Sequence, residues 1–192
     1  QLDAMTTEQL EALTTSQIGA LSTGALTSLS ASDMVVLTTD QVKALTSTQL
    51  SNLTNTQLTN FSTTQVAALG TDQLASLTTT QMNAFTGDQL KALTNTQVAN
   101  LTTTALSSLS NTKLTALTST QVAALTTAQI PSMLNTQVAA LTTEQIDGLD
   151  SAQIRALTTA QLAALTTEQL PSMSATQVQS LTEIGRASCR ER

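Results

Sequence analysis

Apolar residues recur along this chain in two interleaved series of period eight. One series runs 5, 13, 21 and on to 181 and holds only Leu, Met or Phe. The other runs 2, 10, 18 and on to 178 and holds only Leu, Ile, Val or Met. Each has twenty-three members in strict register, with no insertion or deletion. Lettering the octad a to h from Leu13 to Ala20, the unit is roughly L-T-T-x-Q-V-x-A, with a and f apolar. Position b is Thr or Ser in twenty copies, e is Gln in nineteen, and h is small or Asn in all but Val36.

Two helix-start devices overlap in this unit. Thr14 with Gln17 three residues on forms a capping box, in which the hydroxyl accepts from the N3 amide and the Gln side chain reaches back to the cap. Leu13 before the cap and Ile18 at N4 form the accompanying hydrophobic staple. Acidic residues at d (Glu8, Asp40, Asp72, Asp88, Glu144, Glu168) then fall in the first turn, where the helix dipole favours negative charge. Each octad therefore predicts a new helix start.

Longer elements fit the pattern poorly. At about 100° per residue the a stripe of a continuous helix drifts by about 80° per octad, so the leucines soon face every direction. A coiled coil needs a seven- or eleven-residue period. On one extended strand, a and f would point to opposite faces. The fold class expected is all-α, a solenoid of very short helices with one helix per octad. The alternative is a β-solenoid with a corner between a and f, toward which the Thr-rich composition leans. A lone octad buries too little to offset its own ordering entropy, so stability must come from stacking. Leucines are expected inside, with Thr, Ser, Asn and Gln outside.

The array is expected to span residues 1–182. It starts in mid-repeat, with Gln1 at e and Leu2 at f, as a piece of a longer array would, open at both ends with neighbouring repeats of the same longer chain as partners. Net charge is −6, and the basic residues before the tail (Lys43, Lys91, Lys113, Arg155) are scattered singly, which offers nothing to nucleic acid. No apolar run is long enough to span a membrane and no signal-peptide pattern opens the chain. Phe61 and Phe85, both at a, read as larger spine residues.

Departures from the pattern are few. Ala25 and Asp33 replace Gln in residues 21–36, and Ala105 and Lys113 do so in 101–116. Gly70, Leu134 and Asp150 occupy the capping slot. Pro131 and Pro171 stand 40 residues apart at position g, where each removes a helical amide, so either those two helices end after one turn or the short-helix reading fails there. The recurrence suggests a five-octad module, produced either by block duplication or by five octads closing a whole number of solenoid turns. Gly24, Gly87 and Gly148 read as local loosening. Asn52, Asn60 and Asn100 form N-x-[ST] sequons that the repeat generates automatically, which is weak evidence of glycosylation.

From Glu183 the register collapses. The segment 183–192, EIGRASCRER, holds three of the seven basic residues and the one cysteine, Cys189. It resembles an in-frame translation of a sequencing adapter, which implies a non-native tail on a metagenomic fragment. No catalytic, cofactor-binding or metal-ligating residue emerges from the sequence. His, Tyr and Trp are absent, and the closest carboxylate pairs, Glu8 with Glu11 and Asp147 with Asp150, sit on expected surface. The abundant hydroxyls have no partner base. The expectation is that this is not an enzyme and carries no cofactor.

Residues 1–182 resemble the Thr- and Ala-rich short-repeat regions of large bacterial surface, adhesin-like proteins. The resemblance implies a spacer or stalk, extracellular or at the cell surface. Two other functions compete with it: a solenoid surface that binds protein or ligand, and an ice-binding Thr array. The last rests on T-x-T pairs such as Thr46/Thr48, Thr54/Thr56 and Thr94/Thr96, and needs the b and d hydroxyls on one flat extended face.

Overall fold

A computed structural model describes residues 5–181 and groups the chain into two compact units, Gln1–Leu101 and Thr102–Arg192. The mid-repeat start and the tail from Glu183 lie outside the described residues. Each unit is an all-α solenoid of short helices, and no described residue lies in a strand. Nearly every octad forms one helix of five or six residues, as in Thr15–Ala20, Thr39–Ala44 and Asn95–Ala99.

The helices start where the capping box places them. Thr14 is extended (φ −70°, ψ 158°) and its hydroxyl accepts from the Gln17 amide at 3.2 Å, while Gln17 Oε1 accepts the Thr14 amide at 2.8 Å. The same reciprocal pair recurs at Thr38/Gln41, Ser62/Gln65 and Thr142/Gln145. The box also explains why the preceding helix stops. Once the b amide donates forward to its own Gln, it is lost to the previous helix. The chain passes from one helix to the next through an extended b and, in many octads, an extended a such as Leu21 (φ −63°, ψ 142°). No described residue has positive φ, so termination needs no left-handed glycine.

Burial follows the two apolar series. Inside the coils the f residues, from Ile18 to Ile154, are almost wholly enclosed, and a residues such as Leu45 and Leu93 are nearly so. Phe61 and Phe85 are buried at a as larger spine residues. In the first unit helix Thr7–Glu11 packs on Ala31–Val36, and Thr15–Ala20 on Thr39–Ala44; in the second, Asn111–Thr115 packs on Asn135–Ala140. Each of these partners lies three octads on. Longer reaches of 28 and 31 residues also occur within each unit. One turn of the coil therefore takes between three and four octads, about 28 residues.

That spacing bears on the five-octad recurrence: a 40-residue block is not a whole number of such turns, so the spacing of the prolines has no counterpart in the coil. The prolines shorten their helices as expected. Around Pro131 the α-helix is replaced by a 3-10 turn at Ile130–Ser132, and around Pro171 a helix of four residues remains, Gln169–Ser172. The cap is unaffected, because Gln129 still bonds Thr126 in both directions, at 2.8 and 3.2 Å.

The glycines need correction. Gly24 and Gly87 lie within regular helices, Thr23–Thr27 and Gly87–Lys91. Gly148 marks close approach, the opposite of loosening: a Cβ there would sit 3.3 Å from the Ser119 carbonyl oxygen and 3.4 Å from that of Glu144.

Candidate functional site

The expectation of an outward-facing Gln fails for most of the chain. Sixteen glutamines, all at e and running from Gln41 to Gln177, are buried. The physical reason lies at the far end of the amide. While Oε1 accepts the b amide of its own octad, Nε2 donates to carbonyls of the preceding coil from Gln41 to Gln97 in the first unit and from Gln137 to Gln177 in the second. Gln49 Nε2 reaches the Ile18 carbonyl at 2.9 Å and that of Leu21 at 2.8 Å. Gln65 does the same to Met34 (2.7 Å) and Leu37 (2.6 Å), and in the second unit Gln177 to Ile146 (2.9 Å) and Leu149 (2.7 Å).

These carbonyls belong to the last turn of a helix and the extended residue after it, the groups that a helix C-terminus leaves without intrahelical partners. One amide thus caps two helix ends. Its oxygen faces the positive N-terminal end of its own helix, and its nitrogen faces the negative C-terminal end of a helix one coil back, so both polarities suit the helix dipoles. Only this orientation of the amide satisfies both neighbours. No buried side-chain nitrogen or oxygen among the described residues lacks a hydrogen-bond partner.

Departures at b and e show which half of the device is dispensable. Gly70 and Leu134 have no side-chain acceptor, yet their amides still donate to Gln73 Oε1 (2.7 Å) and Gln137 Oε1 (2.8 Å), and Asn135–Ala140 forms normally. Asp33 at e keeps the acceptor half only, taking the Ser30 amide at 2.8 Å. Gln9 and Gln17, for which the described residues include no preceding coil, are exposed although their boxes are complete.

The outer surface is short and polar. The b hydroxyls are committed to helix entrances, and several d hydroxyls pair with them, as in Ser62–Thr64 and Thr118–Thr120, both at 2.9 Å. The T-x-T pairs therefore sit on helix starts, without the flat extended face that ice binding requires. Asn52, Asn60 and Asn100 donate to the carbonyl four residues back, each at 2.8 Å, at the ends of their helices. Lys43 and Asp40 form an exposed pair at 3.6 Å, an arrangement worth little in water. The Glu168 carboxyl is held below the usual carboxylate range, first by its own backbone amide and then by the Thr166 and Thr167 hydroxyls.

An open groove of about 420 Å³ is lined by Ser119, Thr120, Ala123, Glu144, Asp147 and Gly148. Its two carboxylates are its only charged groups, and the lining includes no base or nucleophile pair. No group of three or more metal-ligating side chains is found among the described residues, and no helix there is long and apolar enough to cross a membrane. The sequence itself offers no site residue, and the Nε2 half of the glutamines is hidden in it because the partners lie a full coil away.

A family model described as the ALTTAQ repeat matches residues 1–23, 44–79, 133–159 and 146–183, together more than half of the chain. No curated protein matches.

Proposed function

The chain belongs to the ALTTAQ repeat family, and from that premise we propose that it serves as a spacer or stalk in a large extracellular bacterial protein and takes no part in catalysis. The observation that carries this is the glutamine ladder. From Gln41 to Gln97 and from Gln137 to Gln177 the buried glutamines at e join one octad to another, while the surface carries mostly short hydroxyls and isolated charges. A repeat whose every unit binds only its neighbours lengthens without changing character, which is what a spacer requires. The extracellular setting rests on the likeness of residues 1–182 to the short-repeat regions of large bacterial surface proteins. Residues 183–192 are no part of the array on this reading, in keeping with their likeness to translated adapter.

The test is to place the chain between a cell-surface anchor and a reporter epitope. Inserting or removing seven octads, about two turns at the coil spacing found here, should move epitope accessibility in step with repeat number. Substituting exposed c and d residues should leave it unchanged. If those substitutions govern the outcome and repeat number does not, the binding-surface function replaces the spacer.

A further inference from the structure

The bonds that fasten one coil to the next form a ladder of like rungs. Gln57 Nε2 donates to Leu26 (2.9 Å) and Leu29 (2.8 Å), and Gln73 Nε2 to Val42 (3.0 Å) and Leu45 (2.6 Å). In the second unit Gln169 Nε2 donates to Val138 (3.0 Å) and Leu141 (2.6 Å). The apolar packing has a similar reach, with Thr39–Ala44 on Thr63–Ala68 and Thr143–Asp147 on Gln169–Ser172. The chain has a single cysteine, Cys189, so no intrachain disulfide can lock two coils together. A released helix cannot survive alone either. The helices have five or six residues, and an isolated helix in water needs roughly 12–15, so an octad that loses its neighbouring coil unfolds.

We propose that the array is an extensible tether: tension along the chain peels it coil by coil at nearly constant force, and slack rewinds it. Because these rungs join adjacent coils, a pull on the backbone falls on the outermost folded coil, and the rungs break in sequence instead of together. Because the rungs are alike, each coil yields at about the same load as the one before. The peeled chain gains length. A coil of about 28 residues drawn straight spans about 95 Å, against about 10 Å between the axes of packed helices. Rewinding is favoured by the same geometry. The cap closes within one octad, as at Thr54 and Gln57, and the partner groups of each rung are already fixed in the coil still folded. The inference deepens the spacer function and rests on it for the source of the load.

Optical-tweezer extension of the full chain, with handles fused at both ends, tests it at slow pulling rates. The chain should lengthen along a force plateau in increments of at most one coil, about 95 Å, and relaxation should retrace it. Release of a whole compact unit, Gln1–Leu101 or Thr102–Arg192, in one event of about 300 Å overturns the proposal. Two variants assign the rungs. Gln89→Ala removes the bonds to Leu58 and Phe61 and should cut a dip into the plateau no longer than one coil. Thr86→Ala removes only the hydroxyl that accepts the Gln89 amide at 3.2 Å, and should leave the plateau close to wild type. A Gln89→Ala trace without a dip, or a Thr86→Ala dip as deep, overturns the part assigned to Nε2. The load here is applied directly, so this result stands apart from the epitope experiment. A chain that peels coil by coil yet fails to move a surface epitope refutes the spacer and leaves the extensible array standing.

Discussion

Gln89 isolates the two halves of the glutamine device. It is buried, its Oε1 accepts the Thr86 amide at 2.8 Å, and its Nε2 donates to Leu58 (2.9 Å) and Phe61 (2.8 Å). Replacement by Ala removes both halves. The Leu58 carbonyl keeps the Phe61 amide at 3.2 Å, but the Phe61 carbonyl and the Thr86 amide each face a void. At about 1–3 kcal/mol for each stranded buried group, the loss should be about 4 kcal/mol. Replacement by Glu is more discriminating. A carboxylate still accepts the Thr86 amide, but its second oxygen points at two carbonyl oxygens, so the folded state demands the protonated form. Holding a carboxyl of ordinary pKa, about 4.3, protonated at pH 7 costs about 4 kcal/mol.

The sign follows from linkage. The folded-state pKa of that Glu lies above its unfolded value, so the folded state binds the extra proton. Stability is then full below about pH 4 and falls by about 1.4 kcal/mol per pH unit as pH rises towards the folded pKa. Urea unfolding at pH 4, 5.5 and 7, followed by circular dichroism, measures it. Gln89→Glu should approach wild type at pH 4 and resemble Gln89→Ala at pH 7. A Glu variant whose midpoint, corrected for wild type, is the same at both ends refutes the inter-coil role of Nε2. An Ala variant that costs less than about 1 kcal/mol refutes the device altogether.

Leu134→Thr should stabilise the chain by about 1 kcal/mol, because it supplies the missing hydroxyl to Gln137 and removes an exposed leucine; urea midpoints check it. Alanine at two glycines should have opposite effects in the same assay. Gly24→Ala, in a helix with open space around it, should gain about 0.5–1 kcal/mol, and Gly148→Ala, crowding the Ser119 carbonyl, should lose stability. Leu58→Ala should cost about 2–5 kcal/mol and Leu170→Ala far less, because one is enclosed and the other half in water. Because the Glu168 pKa is lowered on folding, its contribution is present above the ordinary carboxylate range and disappears as pH falls through the depressed value; Glu168→Gln should flatten that acid limb of the stability profile.

The local structure was legible because its causes are local. The cap at Thr14, its partner Gln17 and the staple from Leu13 to Ile18 all lie within six residues, and the structure places each helix start there. The shortened helices at Pro131 and Pro171 were legible for the same reason. The burial of Gln was not, because its cause lies 28 to 31 residues upstream. A polar residue repeated every octad looks like surface until its donor partners are known. One signal was available. A capping box accepts Glu as readily as Gln, yet Glu never occupies e in this chain, and the one acid there, Asp33, stands in the least regular stretch. Only a side chain that must also donate explains that choice. The coil period and the tightness at Gly148 depend on distances between coils, which no local pattern encodes.

The dual role of this amide also explains why the octad keeps its length through twenty-three copies. A capping box alone would tolerate an extra residue between one helix and the next, since loops lengthen at small entropic cost. Nε2 does not tolerate it. Glutamines such as Gln49 and Gln169 meet carbonyls at fixed separations of 28 and 31 residues, so one inserted residue moves such glutamines in the next coil off their acceptors. Several buried donors and their carbonyls would then be stranded together, at about 1–3 kcal/mol for each group. Side-chain identity at c, d and g carries no such penalty, and those positions vary. The hydroxyl at b acts only within its own octad, and it can be lost at Gly70 and Leu134 while the helices persist. The constraint on repeat length therefore resides in the glutamine, the one residue that joins the entrance of a helix to the exit of another.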